Sequence, residues 1–431
     1  MPAGLRGALR IAIVIVLGLA MDAPAWAQLP SLPSLPGVPG GLPQTDLDRP
    51  LGDVTQTLDP RRLTDLRRLR EQQLIRRNPR AIDVDDYGRA VVRGELIAVS
   101  PSPASLSAAQ AAGFQIMRRE TVAGTGVEIV SLAIPSGTSA RQAMRRLRRA
   151  DPGGDYDYDH IYGEAGAPRP PDVGPPASGS PSPPGRSAAG VRIGLIDTGV
   201  DIGHPSLAGL NIVQRAFAPG GVRPAAHGTA TASLLAGRGM RSAAPGAALL
   251  VADVYGAGPT GGSAVAVAQA LGWLSSSGVQ VINISLVGPP NAAVAAVVQS
   301  LAGRGLIIVA AVGNDGPAAP PLYPASYPQV IAVTGVDRRD RLLPEASRAL
   351  HVDFAAPGDA LAAARPGGGF STVRGTSFAA PIVAGRLAVL ARGDGRAAVD
   401  ALARQALDLG QRGRDSLYGY GLVGEDMRSG R

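Results

Sequence analysis

The chain has 431 residues, 45% of them hydrophobic, which is enough for at least one large core and, at about 100–200 residues per domain, for two or three units. It contains no cysteine, which excludes disulfides, thiolate metal sites and cysteine catalysis. The formal net charge of +8 comes from arginine alone, and because opposite charges are scattered through most of the chain, no nucleic-acid partner is expected.

The N-terminus reads as an export signal. Basic Arg6 and Arg10 precede an apolar run from Ile11 to Ala20, and Ala25-Trp26-Ala27 forms a small-x-small cleavage site before Gln28. The run falls short of the roughly 20 apolar residues a membrane-spanning helix needs. Residues 1–27 are therefore expected to be removed, with no membrane anchor afterwards and a secreted or periplasmic product. From 28 to 89 the expectation is a Pro-, Gly- and Ser-rich linker, "QLPSLPSLPGVPGGLPQT", followed by a basic helix. That helix, predicted over 61–80, sets Leu63, Leu66 and Leu74 near one face of an arginine-studded, solvated surface.

Residues 90–163 read as a compact mixed unit. "VVRGELIAVS" and "VEIVSLAIP" are predicted strands, "SPASLSAAQAAG" a helix ended by Gly113, and "YDYDHIYG" a final strand. "SARQAMRRLRRA" places Ala140, Ala143, Met144 and Leu147 at i, i+3, i+4 and i+7 behind a Thr138 or Ser139 cap. The strand-helix-strand-strand-helix-strand order fits a small ferredoxin-like α+β unit. Residues 164–189, dense in Pro, Gly and Ser, are predicted to be a linker, a domain boundary and a place where proteases cut.

Beyond the linker, over 190–425, strands apolar along their whole length alternate with helical patterns, from "VRIGLID" through "VQVINISL" and "LIIVAAVGN" to "SFAAPIVAGRLAVLAR". Such strands imply a doubly wound α/β domain, a mostly parallel sheet with helices on both faces. Functional residues in these sheets gather where strands end and loops begin. Four candidates sit at such places: Asp197 after "VRIGLI", His227 at the start of "HGTATASLLAG", Asn314 after "LIIVAAVG", and Ser377 at the mouth of its own helix. A serine hydroxyl becomes a nucleophile when an imidazole removes its proton and a carboxylate orients that imidazole. The oxyanion that follows needs preorganised donors, which the Ser377 backbone N–H and the Asn314 side-chain amide would supply. "DTG" after apolar residues is also the mark of aspartic proteases, which need two such aspartates, from one chain or from a dimer; no second Asp-Thr/Ser-Gly occurs, and the parallel-sheet pattern contradicts that all-β class.

Together, "IGLIDTGVDIGHPSL", "HGTATASLLAG", "LIIVAAVGNDG" and "RGTSFAAPIVAG" resemble the Asp, His, oxyanion-Asn and Ser segments of the subtilisin-like serine proteases, in that family's order. The resemblance spans roughly 188–425. It implies an exported serine endopeptidase with Asp197, His227 and Ser377 as the triad, Asn314 as the oxyanion donor and Thr376 in support. Ser285, Leu286, Val287 and Gly288 would form the strand on which peptide substrates pair in extended form. Ala310 to Asn314 would form the other wall of the pocket for the side chain before the cut. Tyr323-Pro324 stands where the family can hold a cis proline. The unit at 90–163 resembles, more loosely, the propeptides of these proteases, which implies a domain that inhibits in cis until removed. Protein and peptide substrates are the expected partners. No cofactor is expected, and no acidic cluster is spaced like a calcium loop. Ala230 stands where many members carry a second, non-triad histidine. The alternative is a protease-like module that binds peptides in the same groove without cutting them.

Overall fold

The computed structural model describes residues 60–165, 167–168, 188–391 and 394–428. The expected export signal, the Pro-rich stretch after it and most of the predicted linker at 164–189 lie outside the described residues.

The first domain opens with helix α1 (Pro60–Arg77), which ends short of the predicted 80 because Pro79 disfavours helical backbone at the residue before it. It continues through β1 (Ile82–Val84), β2 (Ala90–Val99), α2 (Pro103–Ala111), β3 (Gln115–Thr121), β4 (Glu128–Ala133), α3 (Ala140–Ala150) and β5 (Tyr156–His160). Every pairing is antiparallel: β2 is central, bonded to β1, β4 and β5, and β4 carries β3. Ser139 caps α3 in a reciprocal capping box with Gln142, and Ala140, Ala143, Met144 and Leu147 bury the helix against Leu96, Val130, Leu132, Tyr156 and Tyr158. This is the ferredoxin-like α+β unit expected from the pattern, with β1 added.

Two short strands enter the stretch at 164–189 whose composition predicted a structureless linker: β6 (Gly163–Glu164), which straddles its start, and β7 (Ala167–Pro168). Neither has local propensity for a strand; each exists by borrowing a sheet edge from the second domain.

That domain runs through β8 (Arg192–Asp197), β9 (Ile212–Ala216), α4 (Ala226–Ala236), β10 (Ala248–Asp253), α5 (Ala264–Ser276), β11 (Val281–Ile284), β12 (Leu286–Val287), α6 (Ala292–Ala302), β13 (Ile307–Ala311), β14 (Ile331–Val336), β15 (Phe354–Pro357), β16 (Leu361–Ala364), β17 (Phe370–Arg374), α7 (Thr376–Leu390) and α8 (Gly395–Gln405). A seven-stranded sheet in the order β15-β14-β13-β11-β8-β10-β9 is parallel throughout. One buried cluster joins α4, α7 and α8 to one face of the sheet, and another joins α5 and α6 to the other. The second cluster also takes in Ile97, Val99, Val122, Val127, Ile129 and Tyr162, so the first domain is packed on α5 and α6 through shared core. Among the described residues no helix is long and apolar enough to cross a membrane.

Candidate active site

Asp197 is the last residue of β8, buried at the carboxyl edge of the parallel sheet. Its Oδ1 accepts the Thr198 backbone N–H at 2.7 Å and bonds His227 Nδ1 at 2.8 Å. His227 lies in the first turn of α4, and the next residue shows why the helix starts there. A methyl group on Gly228 would overlap the Thr198 carbonyl oxygen and side chain, so only glycine lets α4 approach the end of β8 this closely. The Gly228 N–H donates to Thr198 Oγ1 at 2.9 Å and locks the two elements together. The His227 ring lies 5.2 Å from that of Phe378, the residue after Ser377.

Ser377 is the second residue of α7. The turn before the helix depends on Gly375, whose φ of +140° lies in the region that favours glycine. Pro381 sits inside the helix and has no N–H to give to the carbonyl four residues earlier, which is that of Ser377. The freed carbonyl instead accepts the Ser285 hydroxyl at 3.0 Å, and Ser285 Oγ in turn accepts Asn283 Nδ2 at 2.9 Å. A proline within the helix thus ties the Ser377 segment to the predicted substrate strand. Sequence reasoning placed Ser285 in that strand but missed this bond; the signal was present, since a proline four residues after a helical residue always frees that residue's carbonyl.

Asn314 follows β13. Its Oδ1 accepts the Thr376 N–H at 3.0 Å, which turns Nδ2 away as the free donor, while Thr376 Oγ1 accepts the Gly313 N–H at 3.1 Å. Four side-chain atoms of this cluster are buried without a hydrogen-bond partner: Asp197 Oδ2, His227 Nε2, Asn314 Nδ2 and Ser377 Oγ. The structure therefore brings Asp197, His227, Asn314 and Ser377 into one site but leaves the Ser377–His227 bond open. His204 is elsewhere, bonded to Ser206 Oγ and the Gly369 carbonyl. Tyr323-Pro324 is cis.

The predicted substrate strand is occupied by the chain itself. β6 pairs antiparallel with β12, Glu164 opposite Leu286 and Gly163 opposite Val287, and the Ala165 N–H donates to the Ser285 carbonyl at 3.0 Å. β7 then pairs with β17, the strand that leads into Gly375. Glu164 keeps an exposed flank, yet its carboxyl is desolvated in the cleft; this and the Asp197 charge raise its pKa, against an opposing pull from His227. Burial lowers the pKa of His227, but the charge and hydrogen bond of Asp197, with the Glu164 charge, outweigh it and push the imidazole up to about 9. The cluster thus collects an imidazole, a hydroxyl in the first turn of a helix and a side-chain amide, each with an unpartnered atom. Among the described residues no group of three or more His, Asp or Glu is placed to hold a metal ion.

Residues 188–421 match the model of the Subtilase family. Over 217 residues the chain is 35% identical to subtilisin Savinase of Lederbergia lenta, covering 48% of this chain and 78% of that protein. It is 30% identical over 269 residues to subtilisin E of Bacillus subtilis, covering 59% of this chain and 69% of that protein. Fervidolysin from Fervidobacterium pennivorans, described as a keratinolytic enzyme related to subtilisin, is similar in fold with a TM-score of 0.66 at 20% identity, over 80% of this chain and 62% of that one.

Proposed function

Because the chain belongs to the subtilase family of serine proteases, we propose that it is an exported serine endopeptidase held inactive by its own N-terminal domain. Ser377 Oγ attacks a peptide carbonyl while His227 Nε2 takes its proton. Asp197 holds His227 in the tautomer that bears the Nδ1 proton and stabilises the cation formed. The Ser377 N–H and Asn314 Nδ2 receive the oxyanion. His227 then protonates the departing amine, and water releases the acyl group from Ser377. The single observation that carries this reading is that His227 Nε2, Ser377 Oγ and Asn314 Nδ2 are buried without partners in one cluster: buried polar atoms are normally satisfied, and these three are the ones that must accept or donate during acyl transfer.

The first domain acts as the inhibitor in cis. Its β6 holds the place of a substrate, and two of its aspartate side chains bond helix starts of the peptidase domain: Asp159 Oδ1 accepts the Val265 N–H in the first turn of α5, and Asp157 Oδ2 accepts the Ala292 N–H at the start of α6. Residues 1–27 supply the export signal, and cutting after β6 frees the cleft. Replacing Ser377 with Ala tests the assignment. Turnover of peptide substrates should fall by about 10⁶, the magnitude found for nucleophile removal in subtilisin, and a phosphonyl fluoride should label Ser377 in the unaltered chain alone. Unchanged turnover in the variant refutes it, and a chain that binds peptides with no turnover in either form is a binding module.

A further inference from the structure

The segment that carries Ser377, "RGTSFAAPIVAG", opens on an arginine that acyl transfer does not use. Arg374 is the last residue of β17, and its partly buried side chain is spent on two carboxylates from loops distant in sequence. Nε and Nη2 donate to Glu345 Oε1 and Oε2 at 2.6 and 2.9 Å, a paired fork that lysine could not form. Nη1 lies 2.8 Å from Asp359 Oδ1, and the N–H of the next residue, Gly375, donates to the Gly358 carbonyl at 2.8 Å. β17 is thereby clamped to two loops immediately before the turn into α7.

One of those loops also holds Asn314, from the other side. The Glu345 carbonyl accepts the Gly316 N–H at 2.8 Å, Ser347 Oγ accepts the Asp315 N–H at 2.9 Å, and the Ser347 N–H donates to the Gly313 carbonyl at 2.9 Å. Residues 313–316 are thus bonded along their length to 345–347. Asn314 Oδ1 in turn accepts the Thr376 N–H at 3.0 Å, the bond that decides which way Nδ2 faces. These contacts close a ring. From Asn314 it runs along the chain to Gly316, across to Glu345, through the carboxylate–guanidinium fork to Arg374, along the chain to Thr376 and back to Asn314 Oδ1. One neutral hydrogen bond between two loops would leave the amide free to swing. A ring closed by a charge-assisted fork holds it, and because Glu345 is buried, water and salt screen that fork little.

We propose that Arg374 is a positioning residue: through Glu345 it holds the Asn314 amide in the orientation that receives the oxyanion. The proposal rests on Ser377 as nucleophile and Asn314 as donor. The test is a cycle of four full-length chains: unaltered, Arg374→Met, Asn314→Ala and the double variant. Each is assayed on a peptide p-nitroanilide, which has no residues beyond the bond cut to pair with β17 as β7 does, and rates are counted per chain whose cleft has been freed. Asn314→Ala should lower kcat by about 10²–10³, the range found for removing such a donor in subtilisin. Arg374→Met should lower kcat about tenfold, a fraction of that range, with KM unchanged within about twofold. Arg374→Lys, which keeps the charge without the fork, should recover only part of the loss. In the Asn314→Ala chain, Arg374→Met should cost less than about twofold more, because the group it positions is gone. The same loss from Arg374→Met in both backgrounds, or a loss confined to KM, overturns the proposal. Glu345→Gln, which keeps the shape of its side chain, carries the same cycle if circular dichroism shows Arg374→Met to be unfolded. Turnover that survives Ser377→Ala refutes the nucleophile reading itself, whereas turnover that is lost with Ser377 but indifferent to Arg374 and Glu345 overturns the ring alone.

Discussion

With β6 in the cleft, His227 should titrate near pH 9, and this has consequences for when the chain can cut itself. The shift from 6.5 to about 9 is a net effect: burial disfavours the imidazolium, and the nearby carboxylates of Asp197 and Glu164 more than offset it. At 1.36 kcal/mol per pKa unit the net preference for the cation is about 3 kcal/mol. A pKa of about 9 leaves roughly one molecule in a hundred with a neutral imidazole at pH 7. Only the neutral form takes a proton from Ser377, so self-processing should quicken about tenfold per pH unit from 7 towards 9 and then level off. The linkage has a definite sign: the folded pKa is raised, so the stabilisation by His227⁺ is fully present below 6.5 and is lost as pH rises through about 9. The direct assay is a histidine NMR titration of the uncut Ser377→Ala chain, in which only four histidines need assigning. Asp197→Asn in that background removes the two largest raising influences and leaves burial dominant, so the titration should drop below 6.5, and Glu164→Gln should lower it by less. A midpoint for His227 at or below 6.5 in the uncut chain with Asp197 and Glu164 intact refutes the reasoning.

Ser285→Ala should leave the buried Ser377 carbonyl and Asn283 Nδ2 unpaired and cost about 1–3 kcal/mol in urea melts of the inactive background; Pro381→Ala, which restores a helical N–H to that carbonyl, should recover part of the loss. Asp159 is held neutral up to about pH 7, first by burial and then by the Glu95 charge, so the folded state binds the extra proton and stability should fall as pH rises from about 4 to 7. Asp159→Asn should flatten that part of a pH series of melts. Gly228→Ala should cost about 1–3 kcal/mol by overpacking against Thr198, and should slow processing because it moves His227 away from Asp197, which a rate measured alongside the melt would show.

What could be read along the chain was whatever local chemistry determines. Strands such as Ile307–Ala311, apolar on both faces, can only lie inside a covered parallel sheet, and a lone histidine or serine opening a helix beside a strand end is conspicuous because so little else there is polar. The helical face of Ala140, Ala143, Met144 and Leu147 needs only a period of 3.6. The elements not anticipated depend on distant partners. β9 alternates half-buried and exposed residues as an edge strand does, β16 and β17 are short hairpin strands, and α8 packs chiefly through Ala398 and Leu402. Leu322 stands in a Pro-rich loop with no periodicity, and nothing local shows that its side chain joins the buried cluster that includes Val287. β6 and β7 could not be read from a breaker-rich stretch, because their hydrogen-bond partners are contributed by Leu286–Val287 and Val373–Arg374.

The final strand of the first domain accounts for how β6 meets β12 in one register. In "YDYDH" successive side chains point to opposite faces. Tyr156 and Tyr158 enter the domain's own core, while Asp157 and Asp159, two residues apart on the other face, reach the first turns of α6 and α5. Each cap answers backbone donors that a helix start leaves without partners, so the two aspartates fix β5 against a pair of helices that themselves belong to the peptidase core. The same strand then runs on through the Ile161–Ser263 bridge and the Tyr162–Gly262 bond to Ala165. A slip of one residue would turn both aspartates into the domain's apolar interior and both tyrosines towards the helix starts, which neither face tolerates. The distance in sequence from these bonds to the Ser285 carbonyl is thereby fixed, and with it the residue, Ala165, that bonds it. Anchoring to α5 and α6 and pairing with Leu286–Val287 are therefore properties of one continuous segment.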